Sequence, residues 1–299
     1  ATITGLTPGM YYTVEAWVRV RAKNGVAATD ATGITLSVGN GEAVDLTEGE
    51  VIGTSQFSHA IYKANGPADA EGTLTINFNI LEGNNVSWLS FKNMKYVENP
   101  EADPSNYTSA IVNADLSTGD AWNTEGTKGI SGGMVKVASE SAFDFSQTIT
   151  LPAGQYKMTA KAVYRYTGSE AEEFAAIEAG TKTRLVNLYA ETATYKYEAG
   201  VMNRYDGASD TDYAAGNGSV PVNGKFVPNS SAAVQTWFNN GQYVNELVFN
   251  VQEEGQIKIG LTRTGSIAGD YTNIGAWTLT RLGDAEADPE VEEPTPDPD

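Results

Sequence analysis

Tyr166, Tyr205, Asp206, Tyr213, Tyr271 and Asn273 are the residues of this 299-residue chain whose types suit recognition of a polar, ring-bearing ligand. Aromatic faces stack on sugar C–H groups, while Asp and Asn exchange hydrogen bonds with hydroxyls, so these side chains brought to one rim would make a carbohydrate-binding site. Trp17 falls on the polar side of its strand and reads either as a stacking platform or as a contact between units. Asp206, Asp210 and Asp212 put three carboxylates in one Gly-containing loop, a donor set suited to Ca²⁺, although the spacing and terminal Glu of an EF-hand are missing. An acidic chain also produces such clusters without metal.

Catalytic arrangements are absent from the pattern. His59 is the one histidine, set in an alternating strand with no triad-like partners, and reads as structural. Glu170, Glu172 and Glu173 could supply the paired carboxyls of glycoside hydrolysis, which must oppose each other about 5 to 10 Å apart. As neighbours on one exposed loop they read instead as a solvated acidic patch. Zero cysteines exclude disulfides and thiolate chemistry. The net charge of −19, with no basic patch legible, argues against nucleic acid. No run approaches the roughly 18 apolar residues of a membrane-spanning helix, so membrane insertion is not expected.

The elements that must position these residues are strands. In Leu151-Pro-Ala-Gly-Gln-Tyr156 and onward, Tyr156, Met158, Ala160, Ala162 and Tyr164 alternate with Lys157, Thr159, Lys161 and Arg165, the period of a half-buried strand. A near copy begins at Leu6-Thr-Pro-Gly9, where Tyr12, Val14, Ala16, Val18 and Val20 alternate with Thr13, Glu15, Trp17 and Arg19. The register against the Pro-Gly turn differs by one residue, which a bulge absorbs. Further strands are expected at Ile34–Val38, Ala43–Leu46, Phe57–Lys63, Leu74–Ile80, Val86–Val97 and Phe143–Thr150. Gly72–Ile80 corresponds to Gly255–Arg263, and Phe91 to Trp277. Trp277, Trp88 and Trp122 are expected in the core, as large aromatics beside strands usually are. One helix of about ten residues is predicted between the cap candidates Asn229 and Ser230 and the stop Gly241, pinned by Trp237.

Counting strand direction from the organising strand gathers the long loops at one end: Tyr166–Glu173, Tyr189–Asn245 and Thr264–Asn273, with Gly180 and Glu253–Gly255 as turns at the other. Glu101-Ala-Asp-Pro104 recurs as Glu286-Ala-Asp-Pro289 after each final strand. These repeats divide the chain into a unit at 1–98, an acidic linker at 99–106, a complete unit at 107–283 and an acidic Pro-rich tail at 284–299, expected to stay extended and unpacked.

The second unit resembles the galactose-binding-like jelly-roll modules repeated in extracellular proteins of gut and rumen Bacteroidetes. The likeness lies in Asn113-Ala-Asp-Leu-Ser117 with Trp122, in Leu151–Tyr156, and in Val227-Pro-Asn-Ser-Ser-Ala-Ala233 leading to Phe238–Leu247. It departs at the last strand, where such modules often carry aromatic-Asp-Asn-aromatic and this unit reads Ala276-Trp-Thr-Leu279. The resemblance implies an all-β chain of two tandem antiparallel β-sandwich units. It also implies a non-catalytic carbohydrate-binding role on a secreted or cell-surface protein, with a polysaccharide or host glycan as partner alongside neighbouring domains of a longer chain. The alternative is a structural stalk or adhesin segment acting through protein or strand-complementation contacts. Before the organising Gly the second unit holds 107–153 and the first only Ala1–Pro8. The first is therefore expected to expose inner-face residues such as Val14, Ile76 and Phe78 until preceding residues or a donated strand complete it.

Overall fold

The computed structural model describes residues 1–25, 33–45, 50–54, 57–137, 142–165, 170–181, 184–216, 218–265 and 271–289, with backbone only at 50–60, 170, 171 and 173. The chain divides into two compact units, Ala1–Asn106 and Tyr107–Asp299, each an antiparallel β-sandwich.

Unit 1 contains β1 (Thr2–Ile3), β2 (Tyr11–Ala22), β3 (Ile34–Val38), β4 (Val44–Asp45), β5 (Glu50–Thr54), β6 (Phe57–Pro67), β7 (Leu74–Ile80) and β8 (Val86–Glu98). One sheet has the order β5-β6-β2-β8 and the other β1-β7-β3-β4. The alternation in β2 does what its pattern predicts. Tyr12, Val14, Ala16, Val18 and Val20 are buried against Ile34, Leu36, Val38, Leu74 and Ile76 of the facing sheet.

Unit 2 repeats this plan with more strands: β9 (Asn123–Glu125), β10 (Val135–Val137), β11 (Phe143–Leu151), β12 (Gly154–Arg165), β13 (Asn187–Glu191), β14 (Lys196–Gly200), β15 (Ser219–Val222), β16 (Lys225–Pro228), β17 (Val244–Val251), β18 (Gly255–Arg263) and β19 (Tyr271–Gly283). Its sheets run β10-β19-β12-β17 and β14-β13-β18-β11-β9, with β15-β16 a separate hairpin. The helices α1 (Glu170–Glu178) and α2 (Ser231–Asn239) lie in the long loops. The Ser230 hydroxyl accepts from the Ala233 N–H at 3.1 Å, and Gly241 takes φ 76° past the far end, as expected.

Four expectations change. α1 replaces a loop, so Glu170, Glu172 and Glu173 stand on a helix; Gly180 follows it in the left-handed region, and the Thr181 N–H reaches Ala176 O at 3.0 Å in a Schellman closure. The turn opposite the long loops is consequently Thr192–Tyr195 rather than Gly180. Counted from the inward Tyr12 and Tyr156, Phe91 pairs with Val18 and Ile274 with Ala162, so Ile274, not Trp277, is the counterpart of Phe91. Finally, the described part of the tail is docked: Asp288 accepts from Tyr197 Oη (2.6 Å), Thr194 Oγ1 (2.5 Å) and Gln252 Nε2 (2.9 Å). Desolvation pushes the Asp288 pKa up, but these donors outweigh it and hold the group below its ordinary value. Residues 290–299 lie outside the described residues.

The opening segment of unit 2 completes its core. Trp122 stacks on Phe145 at 4.4 Å and meets Trp277 at 5.1 Å. The backbone N–H of Trp277 donates to Ala114 O (2.8 Å), and Gln147 clamps the Val112 backbone through both amide atoms (2.8 and 2.9 Å). Unit 1 has no such segment among the described residues, and the exposure falls elsewhere than expected. Val14 and Ile76 are buried and Phe78 is half-buried, whereas Phe91 and Tyr96 on the inner side of the edge strand β8 are 48% and 46% exposed.

Candidate functional site

The described parts of the long loops of unit 2 do gather at one end, at 170–181, 184–186, 201–216, 218–243 and 264–265. They form a packed cap there rather than an open rim. Tyr205 is buried: its ring lies edge-on to Phe174 at 5.7 Å and beneath the Arg204 guanidinium at 4.7 Å, and its hydroxyl accepts from Arg204 Nη2 at 2.6 Å. Asn273 is fully buried in β19. Tyr213 is half-buried, edge-on to Trp237 at 4.9 Å, with its hydroxyl accepting from Gln242. Tyr271, also half-buried, carries the Arg165 guanidinium 5.4 Å from its ring centre. Tyr166 lies outside the described residues. The loop reading fails physically for Tyr205 and Tyr213, which supply apolar area to two small cores, Tyr213 to one under α2 with Trp237, Phe238 and Tyr243, and Tyr205 to one joining Phe174, Ile177, Val222 and Val227; Tyr271 belongs to neither. Tyr243 shows the cost of that packing: burial pushes its phenol pKa well up, and its hydroxyl donates to Arg204 O at 2.7 Å.

The Ca²⁺ expectation also changes. Asp206 is bonded through both carboxylate oxygens to Arg184, one contact at 2.8 Å, and accepts from the Asn203 N–H. Burial works against the Arg184 charge, but the Asp206 carboxylate raises the guanidinium pKa overall. Asp212 accepts from the Ala214 N–H at 3.1 Å, and Asp210 is exposed. Among the described residues no three His, Cys, Asp or Glu side chains converge as a metal site.

Trp17 stands where its alternation puts it, half-buried on the outer face of β2. Directly paired residues in antiparallel strands share a face, so the register defines that surface. Trp17 pairs with Ile61 and Lys92, Arg19 with His59 and Ser90, Glu15 with Lys63 and Lys95, and Arg21 with Trp88. The Lys92 ammonium sits 5.7 Å from the Trp17 ring centre, and Lys63 pairs with Glu15 at 3.7 Å. Trp88 is 45% exposed, so the core expectation for it is wrong: opposite Arg21 it must face outward. At about 3.3 Å per residue, Trp17 and the position of Trp88 are about 13 Å apart along the strands, and Tyr11 lies about 20 Å from Trp17 the other way.

At the Tyr11 end the face descends into a depression of about 330 Å³ lined by Tyr11, Asn65, Glu42, Val44, Ala102 and Pro104. Beside it Thr13 Oγ1 donates to Asn65 Oδ1 at 2.6 Å and accepts from Asn99 Nδ2 at 2.8 Å. Partial burial, helped by the Asp103 carboxylate, raises the Tyr11 phenol pKa, keeping it a neutral donor. The surface is thus a shallow track of three aromatic rings with amide, hydroxyl and charged groups between them. The alternation held half of this signal. The other half, the outward side of β8, needed the register.

In unit 2 the corresponding face is covered at one end. Lys161 stands where unit 1 has Trp17, and Val163, in place of Arg19, is buried beneath α2. Gly275 permits that covering, since a Cβ there would lie 2.9 Å from the Phe238 ring.

No protein-family model matches the chain, and no curated protein matches its sequence. Among solved structures, it is similar to the N-terminal CBM22-1-CBM22-2 tandem domain from Paenibacillus barcinonensis Xyn10C, at 10% identity and TM-score 0.36 over 93% of this chain and 80% of that one. It is also similar to the M60 catalytic domain with the CBM51-1 and CBM51-2 domains from Clostridium perfringens ZmpB, at 11% identity and TM-score 0.19 over 94% of this chain and 33% of that one. Neither likeness assigns a ligand to this chain.

Proposed function

We propose that the protein is a non-catalytic, extracellular carbohydrate-binding protein and that unit 1 holds a polysaccharide along the outer face of the β5-β6-β2-β8 sheet. The observation that carries this reading is the pair of outward tryptophans, Trp17 and Trp88, on one accessible sheet face. Their rings offer stacking area to sugar C–H groups, and a shallow track admits an extended chain without requiring a free end. Thr13, Asn65 and Glu15 supply donors and acceptors for hydroxyls. The test is affinity electrophoresis of the intact chain through gels containing individual polysaccharides. Trp17→Ala and Trp88→Ala are each expected to weaken retardation by about 1–3 kcal/mol, the cost of truncating an aromatic anchor, with the melting temperature held. Unchanged retardation in both variants overturns the assignment of the face.

A second reading, a structural segment acting through protein contacts, is favoured by the inner side of β8, where Phe91 and Tyr96 are exposed beside an edge that β10 occupies in unit 2.

A further inference from the structure

In unit 2 the outer edge of β19 is hydrogen-bonded by residues 107–137. β10 lies antiparallel to it, Val135 opposite Ile274, Lys136 opposite Asn273 and Val137 opposite Thr272. Past the bulge at Gly275 and Ala276, the Trp277 backbone N–H donates to Ala114 O (2.8 Å) and the Leu279 N–H to Thr108 Oγ1 (3.1 Å), while Leu279 O accepts from the Tyr107 N–H (2.8 Å). Val135 and Val137 are fully buried, so alternate side chains of the covering strand enter the core.

β8 has the same plan without the cover. Its bulge at Asn93 and Met94 lies opposite Ala16, as that of β19 lies opposite Lys161. Val18 and Val14 pair with Phe91 and Tyr96 as Ala162 and Met158 pair with Ile274 and Leu279. Ile274 and Leu279 are fully buried, whereas Phe91 and Tyr96 are half-exposed, and no strand pairs with the outer edge of β8 among the described residues. The facing sheet is open too. β1 pairs with β7 only at Leu74 and Thr75, and Ile80, on the inner side of β7 opposite the buried Ile34, is 61% exposed. Phe78 and Phe91, stacked at 4.5 Å, bridge the two sheets there.

We propose, resting on the reading of unit 1 as a protein-contact segment, that β8 accepts a strand donated by another polypeptide. The donor is an extended segment with apolar residues at every second position, running antiparallel to β8 and directing those side chains toward Phe91 and Leu89, the positions of Ile274 and Thr272 in unit 2. Main-chain hydrogen bonds along the open edge supply affinity, and the alternate side chains supply selectivity. A second copy of this chain fits less well. Pairing two β8 strands so that Phe91 faces Tyr96 of the other copy also sets Lys92 against Lys95 of the other copy, like charges directly opposite. Lysines and a bulge on an edge strand resist such self-pairing. A donor like β10 meets neither obstacle, because its ladder stops short of the bulge.

The experiment titrates the intact chain with a fluorescein-labelled peptide of residues 107–137, the segment that closes unit 2, and maps the contact by amide hydrogen exchange. The peptide is expected to bind saturably and to slow exchange in residues 89–96 by at least about tenfold, as new edge hydrogen bonds should. A peptide carrying Val135→Lys and Val137→Lys, or a chain carrying Phe91→Asp and Tyr96→Asp with its melting temperature checked, is expected to bind at least about tenfold more weakly, the usual consequence of losing contact anchors. Binding unmoved by the chain variant, with exchange slowed at β19 instead, means that the peptide displaces the segment of unit 2 and overturns the acceptor edge. A dimer in sedimentation that the chain variant abolishes and the peptide does not disrupt overturns the donated strand in favour of a second copy. A monomer with fast exchange in residues 89–96 and no peptide binding overturns the donated strand while leaving the protein-contact reading in place. Slow exchange there in the free monomer overturns both, since the chain itself then covers β8.

Discussion

Units 1 and 2 share a sandwich plan and an inward alternation on their organising strands, yet they cover it to different extents. Unit 2 seals its inner edge with the opening segment, so Ile274, Trp277 and Leu279 are all buried, and it roofs one end of its outer face with α2. Unit 1 does neither among the described residues. Phe91 and Tyr96 are half-exposed on one side of β8, and Trp17, Trp88 and the basic residues are accessible on the other. The same strand framework is thus a self-contained core in one copy and a two-sided surface in the other. Coverage, not strand pattern, makes the difference.

Removing the cover is expected to have the largest effect. Trp122→Ala strips the ring that stacks on Phe145 and Trp277, and unit 2 should lose about 3–5 kcal/mol, as buried aromatic truncations do. Urea unfolding followed by tryptophan fluorescence measures it, and a loss below 1 kcal/mol would mean that the opening segment is not what closes unit 2.

A smaller contrast uses the matched pair Ile274 and Phe91. Ile274→Ala, fully buried, is expected to cost about 2–4 kcal/mol, while Phe91→Ala, half-exposed with Phe78 stacked at 4.5 Å, is expected to cost under about 1 kcal/mol. Equal costs in chemical denaturation would show that the inner side of β8 is covered in solution.

The smallest effect is one of pH. Asp144 on β11 has no counterpart on the two-residue β1. Burial pushes its pKa up, but Lys258 (2.7 Å), Tyr189 (2.6 Å) and Ser146 (3.2 Å) outweigh that and hold it below the ordinary 3.8. A carboxylate with a depressed folded value contributes stability that is complete above the unfolded value and is lost as pH falls through the folded one. Unit 2 should therefore weaken below about pH 4, and Asp144→Asn should remove that part of the slope. The effect is at most about 1 kcal/mol, because a pair this near solvent is screened. A variant titration superimposable on the wild type would remove Asp144 from the acid response.

Local pattern alone determined a great deal here. The period-2 runs of β2 and β12 decided which side faces inward, because successive side chains on a strand point to opposite sides. The cap at Ser230 and the stop at Gly241 delimited α2 by the same nearest-neighbour chemistry. Even Trp17 was correctly outward from its neighbours. α1 was partly legible too, in the Ser169-x-x-Glu172 spacing and in Gly180, but three adjacent glutamates read more readily as a loop. Only the tertiary structure decided what lies over each outward side. Tyr205 and Asn273 look like ligand groups in sequence and are buried, Tyr205 because loops distant along the chain build an apolar core of their own and Asn273 because it lies within β19. Trp88 and Lys92 join Trp17, Arg19 and Arg21 into one surface only through pairing between strands some seventy residues apart. Such pairing is non-local: no periodicity within β8 says which of its sides meets a core and which meets solvent, so the basic aromatic track exists in the register and not in any stretch of sequence.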